Sequence, residues 1–481
     1  MTLDLAASLV AAALIGILTI VCAWPAGMSQ ARTLVGFLGI GIGLGLSSLV
    51  FFAWLALVGG TSAVFPLYEL GLLIPLASVA RYVRNRHRSR TPDPVRRDPP
   101  SPPTNHPLLS LALWLGVVGA AIAFVAHSAV SPQGGWDAWM TWNMHARALV
   151  RGGDHWHQVL TSLPGWSHPD YPLLVPGSVA RMWTYLGRET PLAPVSVAML
   201  FTFATAGLLY SSVSVLRSRT QGALAVLLLL GTKFFILHGA SQYADVPFGY
   251  FLLATLVLLA LTEAWPEDRA SLLMLAGITV GLSAWAKNEG MLLLPVVIVV
   301  YSVVNVRARG WHTGLTDARA FAIGLAPVLA MIVWFKVWLA PANDLMADQG
   351  LRRTAERLLE GSRYLQVLGG AVHAFLEITA MGILGLLVLG YFLCAGRAPA
   401  GPWRPGARTA AIVLVLMLAG YATVLLTAPA PLLATNIRSM NRLLLQLWPS
   451  MLFAYFLTLR TVEEAGVIAA PPSRPPMPEA S

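Results

Sequence analysis

The run "LLSLALWLGVVGAAIAFVAHSAV", Leu108–Val130, contains no Asp, Glu, Lys or Arg, and apolar residues cover every face of the helix it would form. A surface helix of a soluble protein carries one apolar stripe, whereas a helix crossing about 30 Å of hydrocarbon needs roughly 17–25 mostly apolar residues. The pattern recurs on both sides. Towards the N-terminus it appears at Leu5–Trp24, Leu34–Val58 and Val64–Ala80. Towards the C-terminus it appears at Val195–Leu216, Ala223–Gly239, Val246–Leu261, Ser271–Ala286, Met291–Asn305, Phe321–Leu339, Ile378–Cys394, Ala410–Thr427 and Leu443–Leu459. About 13 spans result, and the short arms on either side of Lys287 have a re-entrant hairpin as their alternative. With 56 % apolar and only 11 % charged residues over 481, the chain reads as an all-α polytopic membrane protein, because a soluble surface of this size needs more charge.

The net charge of +10 acquires meaning once it is placed relative to the bilayer. The loop after the third span holds Arg81, Arg84, Arg86, Arg88, Arg90, Arg96 and Arg97 among prolines, and positive-inside bias puts it in the cytoplasm. Alternating sides from there places the whole positive excess on the cytoplasmic half, so a nucleic-acid partner is not required. The expected organisation is three N-terminal spans (1–80), an Arg/Pro-rich cytoplasmic linker (81–107), a membrane core (108–460) and a disordered cytoplasmic tail (461–481). Two outer loops are long, 131–194 and 341–377, and are expected to be partly helical along the membrane surface. Asp4 and the lack of a basic leader make the first span a retained helix. Cys22 and Cys394 both fall in apolar segments, which leaves no disulfide framework.

Ionisable groups at a membrane edge are costly and mark function. On this topology four clusters share the outer face: Asp137 in "GWDAWMTW"; His168, Asp170 and Tyr171 in "HPDYPLLVP"; Asp245 in "QYADVPFGY"; and Lys287 with Glu289 in "WAKNEGMLL". A carboxylate just outside a helix, an "HP-x-YPLL" turn about thirty residues on, and an "ADVP" opening a later helix resemble the GT-C membrane glycosyltransferases that use polyprenyl-phosphate sugars. The pattern is similar to the protein O-mannosyltransferase and aminoarabinose transferase group, over roughly Leu108–Leu459. One departure is plain: many such enzymes carry an acidic pair at the first-loop site, and here Asp137 is followed by Ala138.

The resemblance implies that Asp137 is the base on an acceptor hydroxyl, an inverting transfer from a polyprenyl-phosphate donor on the outer face of the inner (cytoplasmic) membrane. The alternative for Asp137 is a plain N-cap on the helix after it. Trp136, Trp139 and Trp142 would anchor the loop at the headgroups and stack on sugar faces. His168, Asp170 and Tyr171 would line the acceptor or sugar pocket, or simply form a rigid proline-bounded turn. For Asp245, near Pro247, ordinary helix-start chemistry is expected, with a role in orienting the acceptor left open by its position on the same face. Lys287, paired with Glu289, would neutralise the donor phosphate, as would Arg438 and Arg442 from the last outer loop; Lys233 and Lys336 are weaker candidates. The partners are then the lipid-linked donor, the bilayer, and a glycan, glycolipid or protein acceptor. No obligatory cofactor follows, although Asp137, His168, Asp170 and Asp245 are of a type that holds a divalent cation. The alternative function is a transporter or flippase for a lipid-linked or anionic solute, against which stands the gathering of polar residues at one face instead of mid-bilayer. The arginines of 341–377, Arg352, Arg353, Arg357 and Arg363, would make that loop a lid over the donor.

Overall fold

The computed structural model describes residues 2–90, 106–342, 350–380, 382–399 and 401–466. Arg96 and Arg97 of the linker, and the tail from 467 onwards, lie outside the described residues. Among the described residues the chain forms helices and no strands, apart from an isolated bridge between Arg397 and Leu459.

The N-terminal part comprises α1 (Thr2–Ala23), the short α2 (Gly27–Gln30), α3 (Arg32–Val58) and α4 (Phe65–Arg90), followed by α5 (Pro107–Val130). Residues 131–194 fold into a π-turn (Ala138–Trp142), α6 (Asn143–Arg151), α7 (Trp156–Thr161) and α8 (Leu174–Leu186). Next come α9 (Leu192–Leu216), α10 (Arg219–Gly231), α11 (Lys233–Ala240), α12 (Asp245–Ala264), α13 (Arg269–Ala286), α14 (Glu289–Arg309) and α15 (Trp311–Trp334). The last group is α16 (Leu351–Leu359), α17 (Gly361–Ile378), α18 (Ile383–Ala395), α19 (Arg404–Thr427), α20 (Ala430–Arg438) and α21 (Met440–Thr458).

Among the described residues nine of these helices are long and apolar enough to cross a membrane, and two broken pairs raise the number to 11. The protein is a multi-pass membrane protein. The remaining two expected spans are the helices α4 and α21; arginines fill the second half of α4, and Asn441, Arg442 and Gln446 fill the first turns of α21. The span expected to be continuous over Ala223–Gly239 is broken at Thr232, with a 65° bend between α10 and α11. The two arms around Lys287 are full helices, α13 and α14, and not a re-entrant hairpin. Helix α4 runs on through Arg81–Arg90 into the expected linker, with no proline between Pro75 and Pro92, and the first residues of the expected disordered tail dock, with Glu464 2.7 Å from Arg217.

Helix α12 is the axis of the bundle. Its residues from Asp245 to Thr262 are all buried, which is why it reads as apolar on every side. The N-terminal helices are built into this core. Tyr250 of α12 donates its hydroxyl to the carbonyls of Phe37 and Leu38 at 2.8 and 3.1 Å, and Trp285 of α13 donates to Ser48 Oγ at 3.2 Å. Helices α1 and α3 touch backbone to backbone at Gly16 and Gly39, where a Cβ on Gly16 would stand 1.9 Å from the Gly39 carbonyl oxygen; small residues permit such close approach in membranes. A buried ion pair ties the trio to the loop 131–194: Arg181 of α8 donates to both Glu69 oxygens at 2.6–2.9 Å and to the Ser8 carbonyl at 2.8 Å. The starts of α12 and α21 and the end of α13 lie together at the end of the bundle that carries the loop 131–194.

Candidate active site

Three chain reversals bring the charges together. Asp245 opens α12, Lys287 sits where α13 ends, and Arg442 lies in the first turn of α21. The Asp245 carboxylate is fully buried, and four side chains donate to it. Oδ1 accepts from Lys287 Nζ and Gln446 Nε2, both at 2.7 Å, and Oδ2 accepts from Arg442 Nε and Nη2 at 3.1 and 3.0 Å, with His238 Nε2 also at 3.1 Å. Charged pairs this deep persist only when each lone pair is satisfied. Asp245 stands as the acid in the first turn of α12, as helix-start chemistry expects, and both of its oxygens also hold side chains.

Arg442 extends the network outward. Its third branch, Nη1, donates to Asp137 Oδ2 at 2.6 Å, and its guanidinium lies over the Tyr243 ring at 4.7 Å. The N-cap alternative for Asp137 fails, because its side chain makes no capping bond to the π-turn that follows. Asp137 is one-third exposed, unlike Asp245, so it alone of the two carboxylates is open to a reactant. The burial of Tyr243 and the charge of Asp137 push the Tyr243 hydroxyl above the ordinary phenol range.

Lys287 also pairs with Glu289 at 2.7 Å, and Gln446 donates to Glu289 Oε1 at 3.2 Å. Burial pulls the Lys287 ammonium down, but the facing Asp245 and Glu289 outweigh it and hold it above the usual lysine value. Asn288, between Lys287 and Glu289, donates to Asp170 Oδ2 at 2.8 Å, and Lys336 donates to the Asp170 carbonyl at 2.6 Å and to Asn288 Oδ1 at 2.7 Å. The "HPDY" turn thus docks onto the α13–α14 junction. His168 adopts a left-handed backbone (φ 53°) and stacks on Tyr171 at 4.9 Å. Burial, with Glu289 and Asp170 nearby, holds the Tyr171 hydroxyl well above the phenol range, so it remains a hydrogen-bond donor.

Other candidates are placed differently. Trp136 and Trp139 are exposed and meet edge to face at 4.8 Å, but Trp142 is a core residue and anchors no headgroup. Arg438 is exposed at the end of α20 and takes no part in the network among the described residues. In the 341–377 loop, Arg357 and Arg363 are bound to the carbonyls of Thr427 and Ala428 at 2.7 Å, while Arg352 and Arg353 are exposed. No group of three His, Cys, Asp or Glu converges as a metal site among the described residues. Sequence reading missed His238, Tyr243, Asn288 and Gln446, and also Tyr421, which donates to Gln446 Oε1 at 2.7 Å. Gln446 had a signal, standing one helical turn after Arg442 and so on the same face; the others depend on tertiary placement.

Residues 167–334 match the family model for dolichyl-phosphate-mannose-protein mannosyltransferases. The match supports a membrane glycosyltransferase of GT-C type. The match covers roughly a third of the chain, including the "HPDY" turn, Asp245, Lys287 and Glu289, and it leaves Asp137 and Arg442 outside. No curated protein and no solved structure matches the chain. The matched segment thus contributes Asp245, Lys287 and Glu289, and the flanking regions contribute the exposed carboxylate and the arginine that joins it to Asp245.

Proposed function

We propose that this glycosyltransferase moves a sugar from a polyprenyl-phosphate donor to an acceptor hydroxyl on the outer face of the cytoplasmic membrane, with inversion at the anomeric carbon. One observation supports this most: Arg442 bridges the exposed Asp137 and the buried Asp245. A guanidinium fixed on one edge by a buried carboxylate has its other edge aimed at the place where reactants meet.

In this reading the donor phosphate enters beside Arg442, which neutralises the charge that grows on the leaving group. Arg442 then shares its positive charge with the phosphate, and Asp137 gains basicity as its counter-charge is drawn off. Asp137 takes the proton from the acceptor hydroxyl as that oxygen attacks the anomeric carbon and the carbon–phosphate-oxygen bond breaks. A single displacement of this kind inverts the centre. Lys287, held by Asp245 and Glu289, supplies positive potential from behind, and Asp245, closed to solvent, positions the two cations. Trp136 and Trp139 offer aromatic faces to the acceptor sugar or glycan. Asp137, Asp170 and Asp245 are each engaged by a cationic or amide side chain, so the proposed reaction draws its charge compensation from arginine and lysine and takes no obligatory divalent cation.

The test is transfer from a radiolabelled polyprenyl-phosphate sugar by purified protein. Asp137→Asn keeps the shape and removes the base, and a rate loss of about 10²–10⁴-fold is expected. Donor translocation across vesicles that survives Asp137→Ala, with no transfer, would instead make the protein a flippase.

A further inference from the structure

Asp137 reaches Arg442 on a short loop, and a side chain outside the charged network closes the neck of that loop. The chain leaves α5 at Val130, turns at Gly134 (φ 77°) and passes through Asp137 into the π-turn, after which Asn143 opens α6. Gln242, in the link 241–244 between α11 and α12, reaches both arms of this loop. Its Nε2 donates to the Pro132 carbonyl at 3.1 Å, and its Oε1 accepts from Asn143 Nδ2 at 3.2 Å. Asn143 Nδ2 also donates to the Gln133 carbonyl at 3.2 Å, so two amides tie together the segments before and after Asp137. Gln242 and Asn143 are both buried, which shields these bonds from competing water.

The backbone at Gln242 argues against a passive filler. Its φ of 63° lies in the left-handed region, which glycine adopts freely and which, among the described residues, only His168 and Ala380 share outside the glycines. Glycine at this position would remove the strain. Strain that the surrounding structure holds in place gathers at functional sites, and what it secures here is an amide of glutamine's reach, donating at one end and accepting at the other. The loop is shaped to lie flat on the link. Gly135 N–H donates to the Ser241 carbonyl at 3.0 Å, a Cβ on Gly134 would stand 2.5 Å from that carbonyl oxygen, and one on Gly135 would stand 2.4 Å from the Tyr243 hydroxyl. The same link runs straight into Asp245. One short segment thus fixes both carboxylates that Arg442 bridges, Asp245 through the backbone and Asp137 through the amide clasp.

We propose, on the sugar-transfer reading above, that Gln242 is a positioning residue: its amide, clasped to Asn143 and Pro132, sets where Asp137 stands relative to Arg442 and Asp245. It acts through Asp137 and touches neither donor nor acceptor. The ion pair with Arg442 fixes one carboxylate oxygen of Asp137, and the clasp fixes the backbone from which that carboxylate projects. Donor binding is independent of it, because Arg442 and Lys287 keep their anchor on Asp245.

The test uses full-length protein in detergent, with transfer from a labelled polyprenyl-phosphate sugar, thermal melting and backbone hydrogen exchange read on the same samples. Gln242→Gly opens the clasp and relieves the backbone at once, so a merely structural role and a positioning role leave different marks. Its Tm is expected to stay within about 3 °C of wild type, since relief of strain offsets the lost hydrogen bonds. Its kcat is expected to fall about 10–10²-fold with the donor KM unchanged, the mark of a misplaced base. Asn143→Ala opens the clasp from the other side without touching the strained backbone, and the same split between kcat and KM is expected. The double variant should lose no more than either single one, because the two amides act as a unit. In all three, amides of residues 131–143 should exchange faster while those of 245–264 do not change. The proposal is overturned by a kcat in Gln242→Gly within about twofold of wild type, by unchanged exchange in 131–143, or by additive losses in the double variant. Absence of transfer by wild type itself would count against the donor assignment, and hydrogen exchange would then decide for or against the clasp alone.

Discussion

Asp137 and Asp245 carry the same functional group and occupy opposite environments. One is partly solvated with a single guanidinium against it, and the other is sealed beneath Lys287, Arg442, His238 and Gln446. The proposed division of labour follows from that difference. Asp245→Asn is expected to lower transfer by about 10²-fold, the loss typical of a catalytic group displaced by about 1 Å, and to raise the KM for the donor, since Arg442 and Lys287 lose their common anchor. Unchanged KM with full activity would remove Asp245 from the account. His145 gives a pH prediction. It is fully buried, and Nε2 donates to the Ser167 carbonyl at 2.9 Å, which leaves Nδ1 without a partner. Burial lowers its pKa to about 4, against the opposing pull of Ser167. The unfolded chain takes up a proton near 6.5 and the folded chain does not, so stability is complete above about 6.5 and declines as pH falls towards 4. The loss at the acid end is about 3 kcal/mol. Thermal melts between pH 7.5 and 4.5 should show this decline, flattened in His145→Gln. The sequence displayed the chemistry-bearing residues well at this scale, because charges in an apolar chain are conspicuous. It hid the partners: Gln446 and Asn288 look ordinary until tertiary packing turns them towards carboxylates, as do Tyr243 under the Arg442 guanidinium and Tyr421 on the Gln446 amide.

Among the elements, the spans were the easiest to read, since hydrocarbon thickness fixes their length and composition. The exceptions have local causes. Thr232 interrupts α10–α11, its Oγ1 accepting from Trp448 Nε1 at 3.0 Å, so a polar contact with α21 sits at the bend. Helix α4 outlasts its apolar stretch because arginine is a good helix former and a hydrophobic profile ends where charge begins. The attachment of α4 to α8 was invisible in sequence, because Glu69 and Arg181 are 112 residues apart. Tyr185 completes that site, donating to Glu69 Oε2 at 2.6 Å. Removing one partner of a buried pair strands the other charge, at a cost of about 3–5 kcal/mol, whereas replacing both with apolar residues of similar volume is often neutral. Arg181→Met and Glu69→Met should each lower thermal stability strongly, and the double variant should recover most of the loss. Additive losses in this cycle would show that the two side chains do not act as a pair.

For the molecule as a whole, charge placement divides the bundle into two ends. The end carrying the loop 131–194 gathers Asp137, Asp170, Asp245, Lys287, Glu289 and Arg442, while the other end holds Arg217 with Glu464 and Arg269 with Asp317. Composition and hydropathy foretold the membrane bundle, and motif order foretold the GT-C resemblance that the 167–334 match supports. They did not foretell that the N-terminal helices pack into the core, because close helix contacts at glycine and a tyrosine hydroxyl leave no periodic mark. Since arginine and lysine already neutralise the site, transfer by the purified enzyme should remain within about twofold after exhaustive chelation with EDTA; loss of transfer restored by a divalent cation would contradict that reading. The central claim concerns the bond between Arg442 and Asp137. The most direct measurement is single-turnover transfer of labelled sugar from a polyprenyl-phosphate donor by wild type, Asp137→Asn and Arg442→Lys. Near-complete loss of transfer in Asp137→Asn with donor still bound, and weakened donor binding in Arg442→Lys, is the predicted result; undiminished transfer in Asp137→Asn would contradict it.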